Sequence, residues 1–307
     1  MSDLSFRFGG YQTPISIHTR AGAALGDGLK ERLSGNVDYV LDNDITVFGH
    51  KTGDLITLTE SGELTFCYMS TNYFSSELPM VSVLDLPFVF NDREKAYAKL
   101  DGELGDRIKM AIEAAHPNLK ILHFWDNGYR HFSNRVRAIR EPKDCEGIRT
   151  RTLPSEFQGR IYRRLGFEPV IMNIKQFVAE MESGDIDGQD NPLTNIYQFD
   201  IHKHHRYITL TGHILGVCGL YVNRGLYEGW PDEVRQAVDD AALEATRTQR
   251  ALAIEEDVEL LKKFDPAEND IIQLSDEKRQ AFVDAVTPII DEQRKIIGDE
   301  LVDLAMS

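Results

Sequence analysis

Cysteine is scarce in this chain, with three residues in 307, at positions 67, 145 and 218. An odd, unclustered set excludes a disulfide framework and a cysteine-based zinc knuckle, so Cys67, Cys145 and Cys218 read as small, mostly buried apolar residues. Long hydrophobic runs are missing as well. None approaches the ~20 residues that cross a bilayer, and the amino-terminal Met1-Ser-Asp-Leu-Ser-Phe-Arg-Phe has no apolar signal region. That start fits either a cytoplasmic protein or a mature form whose leader has been removed. Basic residues are in deficit, 34 against 50 acidic, for a formal charge of −16. A nucleic-acid partner needs a basic face to displace counterions, so that class is disfavoured. Any anion site must be built locally from a few arginines, because the overall field repels anions.

Several chemical signatures are also lacking. Gly9-Gly10 and Gly22…Gly26…Gly28 match neither phosphate-loop pattern, and no Gly-x-Ser-x-Gly elbow or zinc-protease signature occurs. Asp185-Ile-Asp187-Gly188-Gln-Asp190 lacks the order of a calcium loop, and the twelfth position counted from Asp185 is Ile196 rather than Glu. His202, His204, His205 and His213 do not have metal-ligand spacing and read as solvated or hydrogen-bonded histidines. The sequence therefore nominates no catalytic residue, no cofactor and no metal.

What is present is an ordinary soluble composition, 42% hydrophobic and 27% charged, at a length that suggests about two domains of ~150 residues each. Alternating segments predict strands at Leu4 to Phe8, Val37 to Leu41, Leu64 to Met69, Leu119 to Trp125, Arg130 to Ile139, Arg206 to Leu210, Val217 to Val222 and Ile271 to Leu274. Helical spacing predicts helices from about Ser16 to Leu33, Asp54 to Glu60, Arg93 to Ala115, Trp230 to Phe264 and Ser275 to Leu304. Asp126-Asn-Gly128 reads as a turn, and Leu84 to Phe90, broken by Pro87, as an irregular or edge segment. This strand–helix–strand rhythm implies an α/β chain with a mostly parallel sheet flanked by helices. No Pro/Gly/Ser linker divides it, which suits two lobes between which the chain passes more than once.

The stretch from Gly147-Ile-Arg-Thr-Arg151-Thr-Leu-Pro154 to Asp187-Gly-Gln-Asp-Asn191-Pro192 organises the rest. Arginine is the best single side chain for gripping a carboxylate, because its planar fork donates two parallel hydrogen bonds. Arg151 ends an extended run, where open α/β sheets place ligands. Arg149 and Arg151 should share a strand face, so at least one could be aimed at a cleft; surface salt bridging with the many acids is the alternative. Trp125 and Tyr129, beside Arg130, suit an aromatic wall over a small ligand, with core packing at a strand end the alternative for Trp125.

Leu165-Gly-Phe-Glu-Pro-Val-Ile-Met172 and Met181-Glu-Ser-Gly-Asp-Ile-Asp187-Gly-Gln-Asp-Asn191-Pro, together with the Arg151 segment, resemble the DctP-like solute-binding subunits of tripartite ATP-independent periplasmic (TRAP) transporters. Asn127-Gly-Tyr-Arg130, Thr211-Gly-His213-Ile and Trp230-Pro-Asp-Glu-Val agree, and the similarity runs from roughly residue 4 to 305. The resemblance implies a two-lobed periplasmic binding protein fold with a hinged central cleft, crossing strands and a long helix spanning both lobes. Lobe I would be 1–127 plus about 214–255, and lobe II 128–213 plus about 256–307. Carried over, Arg151 would make a two-pronged salt bridge to the ligand carboxylate. Arg130 would be a second cation at the same end and Asn191 a polar partner to it. Ser155 would join them, and Asn173 and Ile174 would form a cleft wall; an aliphatic Ile174 there suggests a compact ligand without ring stacking. The first half departs most from the family at Asp38 to Thr57, and its contacts would be Gln12, Tyr68 and Ser70. The implied protein is a periplasmic, monomeric receptor that delivers a hydroxy acid, sugar acid or similar anion to TRAP membrane subunits. Competing readings are an ABC-type or sensory receptor, and an enzyme using His131 or His213 as general base.

Overall fold

The computed structural model describes residues 4–34, 37–153 and 155–307; Pro154, part of the organising motif, lies outside them. Ser16 starts the first helix as its N-cap, accepting the Thr19 N–H, so that β1 (Leu4–Gly9) leads into α1 (Ile17–Arg32). There follow β2 (Val37–Asp42), α2 (Asp54–Ser61), which ends at Gly62 in the left-handed conformation, and β3 (Phe66–Ser70). Next come α3 (Arg93–Leu100), α4 (Glu103–Ala115) and β4 (Leu119–Asn134). The central stretch forms β5 (Arg149–Thr152), α5 (Glu156–Leu165), β6 (Glu168–Ile171), α6 (Ile174–Glu180), β7 (Gly188–Asn191) and α7 (Leu193–Gln198). The chain closes with β8 (Tyr207–Asn223), α8 (Arg224–Gly229), α9 (Asp232–Leu261), β9 (Asp270–Gln273), α10 (Asp276–Ile297) and α11 (Asp299–Met306).

These elements gather into two compact units. The first takes the described residues of Met1–Thr71 with Leu100–Asp126 and Val217–Glu255; the second takes Asn72–Lys99, Asn127–Gly216 and Glu256–Ser307. Residues 72–99 thus group with the second unit, whereas the sequence reading allotted them to the first lobe. β4, β8 and α9 each contribute residues to both units.

In the first unit β1 pairs in parallel with β2 and β3, and β3 runs antiparallel to the Cys218–Val222 end of β8. Its interior is aromatic: Phe6, Phe8, Phe66, Tyr68 and Trp125 are fully buried. In the second unit β5 pairs in parallel with β6 and β7, and β7 runs antiparallel to the His131–Asn134 end of β4. A cluster including Ile174, Phe177, Ile196, Ile208 and Phe264 forms an apolar core there.

Four sequence expectations fail locally, each at a glycine. Asp126-Asn-Gly128 does not turn the chain. Gly128 adopts a left-handed conformation (φ 83°) inside β4, and a Cβ there would stand 2.7 Å from the Pro192 ring. The two strands expected at 206–210 and 217–222 are one, β8, with Gly212 (φ 53°) inside it. A twisted left-handed residue can bend a strand that its neighbours keep paired, so a turn-like dipeptide need not reverse direction. The last helix is split at Gly298 (φ 101°). The helix expected over 93–115 is also divided, at Asp101-Gly102, where Gly105 packs so tightly that a Cβ would lie 1.8 Å from the Leu100 carbonyl oxygen. The segment 84–90 is irregular as expected, with Phe88 at φ 62° and its N–H donating to the His213 carbonyl at 2.7 Å.

Candidate functional site

The second unit places a group of buried polar side chains at the carboxyl ends of β5 and β7. Register decides which residues share a face. Arg151 stands opposite Gln189, and His131 and Phe132 of β4 stand opposite Asn191 and Asp190. Because side chains alternate along a strand, Arg151, Gln189, Asn191, His131 and Ser133 share one face. Thr152, Asp190, Phe132 and Arg130 belong to the other.

Arg151 is completely buried. Its Nε donates to the Met172 carbonyl at 2.9 Å, which fixes the side chain against the end of β6. Nη1 and Nη2 are buried with no hydrogen-bond partner among the described residues. Burial, reinforced by the nearby Arg130 charge, lowers its pKa to about 10, so it is still cationic at neutral pH. A buried guanidinium with both terminal nitrogens unmatched is an unfavourable arrangement unless an acceptor, best an anionic one, meets them. Arg149, two residues earlier, is exposed at the start of the same strand, so only one of the expected pair is turned inward.

Arg130 is not a second free cation. Its Nε is ion-paired with the Asp190 carboxylate and its Nη2 donates to the Asp190 carbonyl at 2.6 Å. His213 Nε2 lies 3.7 Å from the same carboxylate and 3.1 Å from the Tyr162 hydroxyl, and its ring stacks on Phe132. Burial works against the Asp190 charge, yet Arg130 and His213 outweigh it and hold the carboxyl well below its ordinary range. Arg130 therefore shapes the site as half of a neutral buried pair.

A second buried acid, Asp85, accepts a 2.5 Å hydrogen bond from the Asn72 amide. Burial pushes its pKa up to about 6 despite the opposing pull of Asn72 and Arg130. Between about pH 4, the ordinary aspartate range, and pH 6, Asp85 keeps its proton in the folded state and loses it in the unfolded one. Its contribution to stability falls as pH rises through that window and then stays flat. Asp85→Asn is expected to remove this decline and to raise Tm at pH 7. Parallel Tm–pH profiles for the two proteins from pH 4 to 7 would refute buried ionisation at this position.

The remaining nominated residues are placed as follows. Asn191 is buried and hydrogen-bonded to Gln189 and Asn195. Ser155 caps α5, accepting the Gln158 N–H at 3.3 Å, and Asn173 caps α6 from an exposed position, accepting the Gln176 N–H at 2.9 Å. Ile174 belongs to the apolar core of the second unit. In the first unit, Gln12 meets His18 at 3.1 Å, and Tyr68 stacks on His18 and Tyr11. Ser70 is buried at the end of β3. Trp125 is 1% exposed, with its Nε1 donating to Thr246 at 3.0 Å and its ring beside Phe8 and Tyr68. Of the two alternatives for Trp125, this is core packing. Arg151, Arg130 and Asn191 all lie in the second unit, Arg151 and Asn191 on one strand face and Arg130 on the other. Sequence reasoning missed Asp190, Tyr162, Asp85 and Asn72. Asp190 lay in view within the rejected calcium-like run, but nothing in the linear order shows that it answers Arg130.

His131 accepts the Gly212 N–H at 3.0 Å, and burial lowers its pKa to about 3. His213 is held among Asp190, Tyr162 and Thr211.

An α/β chain of two compact units sharing three long elements, with a buried cation open to an acceptor, has the build of a solute-binding protein. The chain belongs to the bacterial extracellular solute-binding proteins of family 7, whose model matches residues 8–296. It is thus a member of a family of receptors, not of enzymes. It is 27% identical over 282 residues to the 2,3-diketo-L-gulonate-binding periplasmic protein YiaO of Escherichia coli K12, covering 92% of this chain and 84% of that one. To a solute-binding protein of Verminephrobacter eiseniae it is 30% identical over 236 residues, 77% of this chain and 69% of that one. In fold it matches the sugar acid binding protein DctPAm of Advenella mimigardefordensis, crystallised with galactonate. The TM-score is 0.92 at 23% identity, over 100% of this chain and 97% of that one. A TRAP periplasmic solute-binding protein of Chromohalobacter salexigens with bound D-glucuronate matches with a TM-score of 0.89 at 25% identity, over 98% and 97%. Among the described residues no helix is long and apolar enough to cross a membrane.

Proposed function

We propose that this protein is an extracytoplasmic receptor for a small organic acid anion, held by Arg151 and handed to the membrane subunits of a TRAP transporter. One observation carries the reading: the buried, unmatched Nη1 and Nη2 of Arg151. Two parallel N–H donors on a planar cation fit the two oxygens of a carboxylate. The relatives agree in chemistry, since among them are proteins that bind 2,3-diketo-L-gulonate, galactonate, D-glucuronate, succinate or C4-dicarboxylates. Asn191, on the face of Arg151, is the proposed polar partner. Arg130, neutralised by Asp190, contributes by positioning rather than by direct charge. Gln12, Tyr68, Ser70, Ser155, Asn173 and Ile174 keep the status of candidate contacts, to be tested by substitution.

Holding a nutrient at micromolar concentration takes about 8 kcal/mol, of which a bidentate charge-assisted pair could supply roughly 3–6 kcal/mol. A thermal-shift screen with succinate, D-galactonate, D-glucuronate and small hydroxy acids, followed by calorimetry, is expected to find at least one acid that raises Tm and binds one to one. Neutral alcohols and amides of the same carbon skeletons should not. A panel in which neutral analogues bind as tightly as the acids would overturn the assignment.

A further inference from the structure

Asn191 ends a line of buried side chains that the binding reading does not use. Asn195 Nδ2 donates to Asn191 Oδ1 at 3.1 Å, and Asn191 Nδ2 donates to Gln189 Oε1. Gln189 Nε2 in turn donates to Ser133 Oγ at 2.5 Å, and Ser133 Oγ lies 2.9 Å from His205 Nδ1. Asn191, Gln189, Ser133 and His205 are all 2% exposed or less. Three of them share the strand face that carries Arg151.

The chemistry of these groups makes their orientations interdependent. An amide has a donating and an accepting end. Asn191 can point its NH2 at Gln189 only while Gln189 turns its carbonyl that way. Gln189 does so only while its own NH2 has an acceptor behind it, and Ser133 Oγ is that acceptor while its hydroxyl proton is directed to His205 Nδ1. Asn191 turns its carbonyl to Asn195 and its NH2 toward Gln189, the register partner of Arg151, so on that side the group it has left to offer is its second N–H. Reversing either amide would set two donors or two acceptors face to face in a buried site, where an unmatched polar group is heavily penalised.

We infer that Gln189 and Ser133, backed by His205, form a positioning relay that holds Asn191 with its N–H rather than its carbonyl turned to the bound solute, so that this position demands an acceptor oxygen. The inference rests on the proposal that Arg151 and Asn191 meet the solute, and it narrows what the site accepts. A carboxylate or carbonyl oxygen is matched beside Arg151, and a hydroxyl can be taken there only as an acceptor.

Two measurements separate this relay from the binding assignment itself. The first is the side-chain amide spectrum of the ligand-free protein labelled with nitrogen-15. Ser133→Ala is expected to move the Asn191 amide signals although Ser133 is two links away, and Ser133→Thr, which keeps the hydroxyl, is expected to restore them. Gln189→Met, close in volume but unable to hydrogen-bond on both sides, should resemble Ser133→Ala. An Asn191 signal indifferent to Ser133→Ala and Gln189→Met overturns the relay, whichever acids bind. The second is calorimetry with succinate, D-galactonate and D-glucuronate. For any of the three that the wild type binds, Ser133→Ala should weaken binding by about tenfold, the loss of roughly one buried hydrogen bond, and Ser133→Thr should recover it. Unchanged affinity in Ser133→Ala would also overturn the relay. If no acid of the full thermal-shift screen binds the wild type, the solute assignment fails, and the amide spectrum still decides the relay.

Discussion

Arg151→Met is expected to abolish acid binding, by about a thousandfold or more, while leaving the ligand-free protein at least as stable as the wild type. Both halves follow from the same geometry. In the complex the guanidinium would donate two charge-assisted bonds of roughly 1.5–3 kcal/mol each, and removing it also leaves the solute carboxylate without its counter-charge. Without a solute, the same group is a fully buried cation whose terminal nitrogens have no partner among the described residues, and only Nε is satisfied, by the Met172 carbonyl. Replacing a buried ion with an apolar chain of similar length often leaves a protein unchanged or more stable. Calorimetry against the best acid of the screen, alongside a thermal melt of the free variant, reads both outcomes. Undiminished affinity would remove Arg151 from the site. A Tm drop of many degrees would mean that the side chain is structural.

Asp190→Asn should have the opposite character, a large loss of stability whether or not solute is present. Asp190 and Arg130 are both buried and ion-paired, with His213 close to the same carboxylate. Removing one charge strands the other, at about 3–5 kcal/mol, which should appear as a Tm drop of several degrees or more. The sign of the pH dependence follows from the depressed pKa of Asp190. The stabilisation is present above the ordinary carboxylate range and is lost only as pH falls through the lower folded value. The wild-type advantage over Asp190→Asn should therefore be constant from pH 5 to 8. Removing both charges together, in Arg130→Met with Asp190→Leu, should recover much of the loss. A single Asp190→Asn variant as stable as the wild type would show that the pair does not matter to the fold.

These two arginines show how far a linear reading reaches. Both were legible as candidate carboxylate grips, because residue type and strand-end position carry that information. Their difference was not legible. Arg151 and Arg130 take opposite faces of the sheet through the registers of β5 with β7 and of β7 with β4, and register depends on partners more than fifty residues away for β4. Arg149 makes the same point, since it has the alternation of Arg151 yet lies at the exposed start of the strand. The aromatic Trp125 was ambiguous in sequence for a related reason. A strand-end tryptophan can line a pocket or fill a core, and only its neighbours Phe8, Tyr68 and Thr246 decide for the core.

The order of strands and helices, the α/β class and the need for a locally built anion site were set by hydrophobic period, capping residues and a formal charge of −16. These are properties of short windows or of composition, and they survive without knowing what packs against what. Tertiary structure alone decided that Gly128 and Gly212 sit at positive φ within long strands instead of reversing the chain. It also decided that Asp190 neutralises Arg130, and that Arg151 is left with its terminal donors unmatched. Each of these depends on a distant segment arriving at hydrogen-bonding distance, and the free energy of a buried charge is determined by whatever arrives.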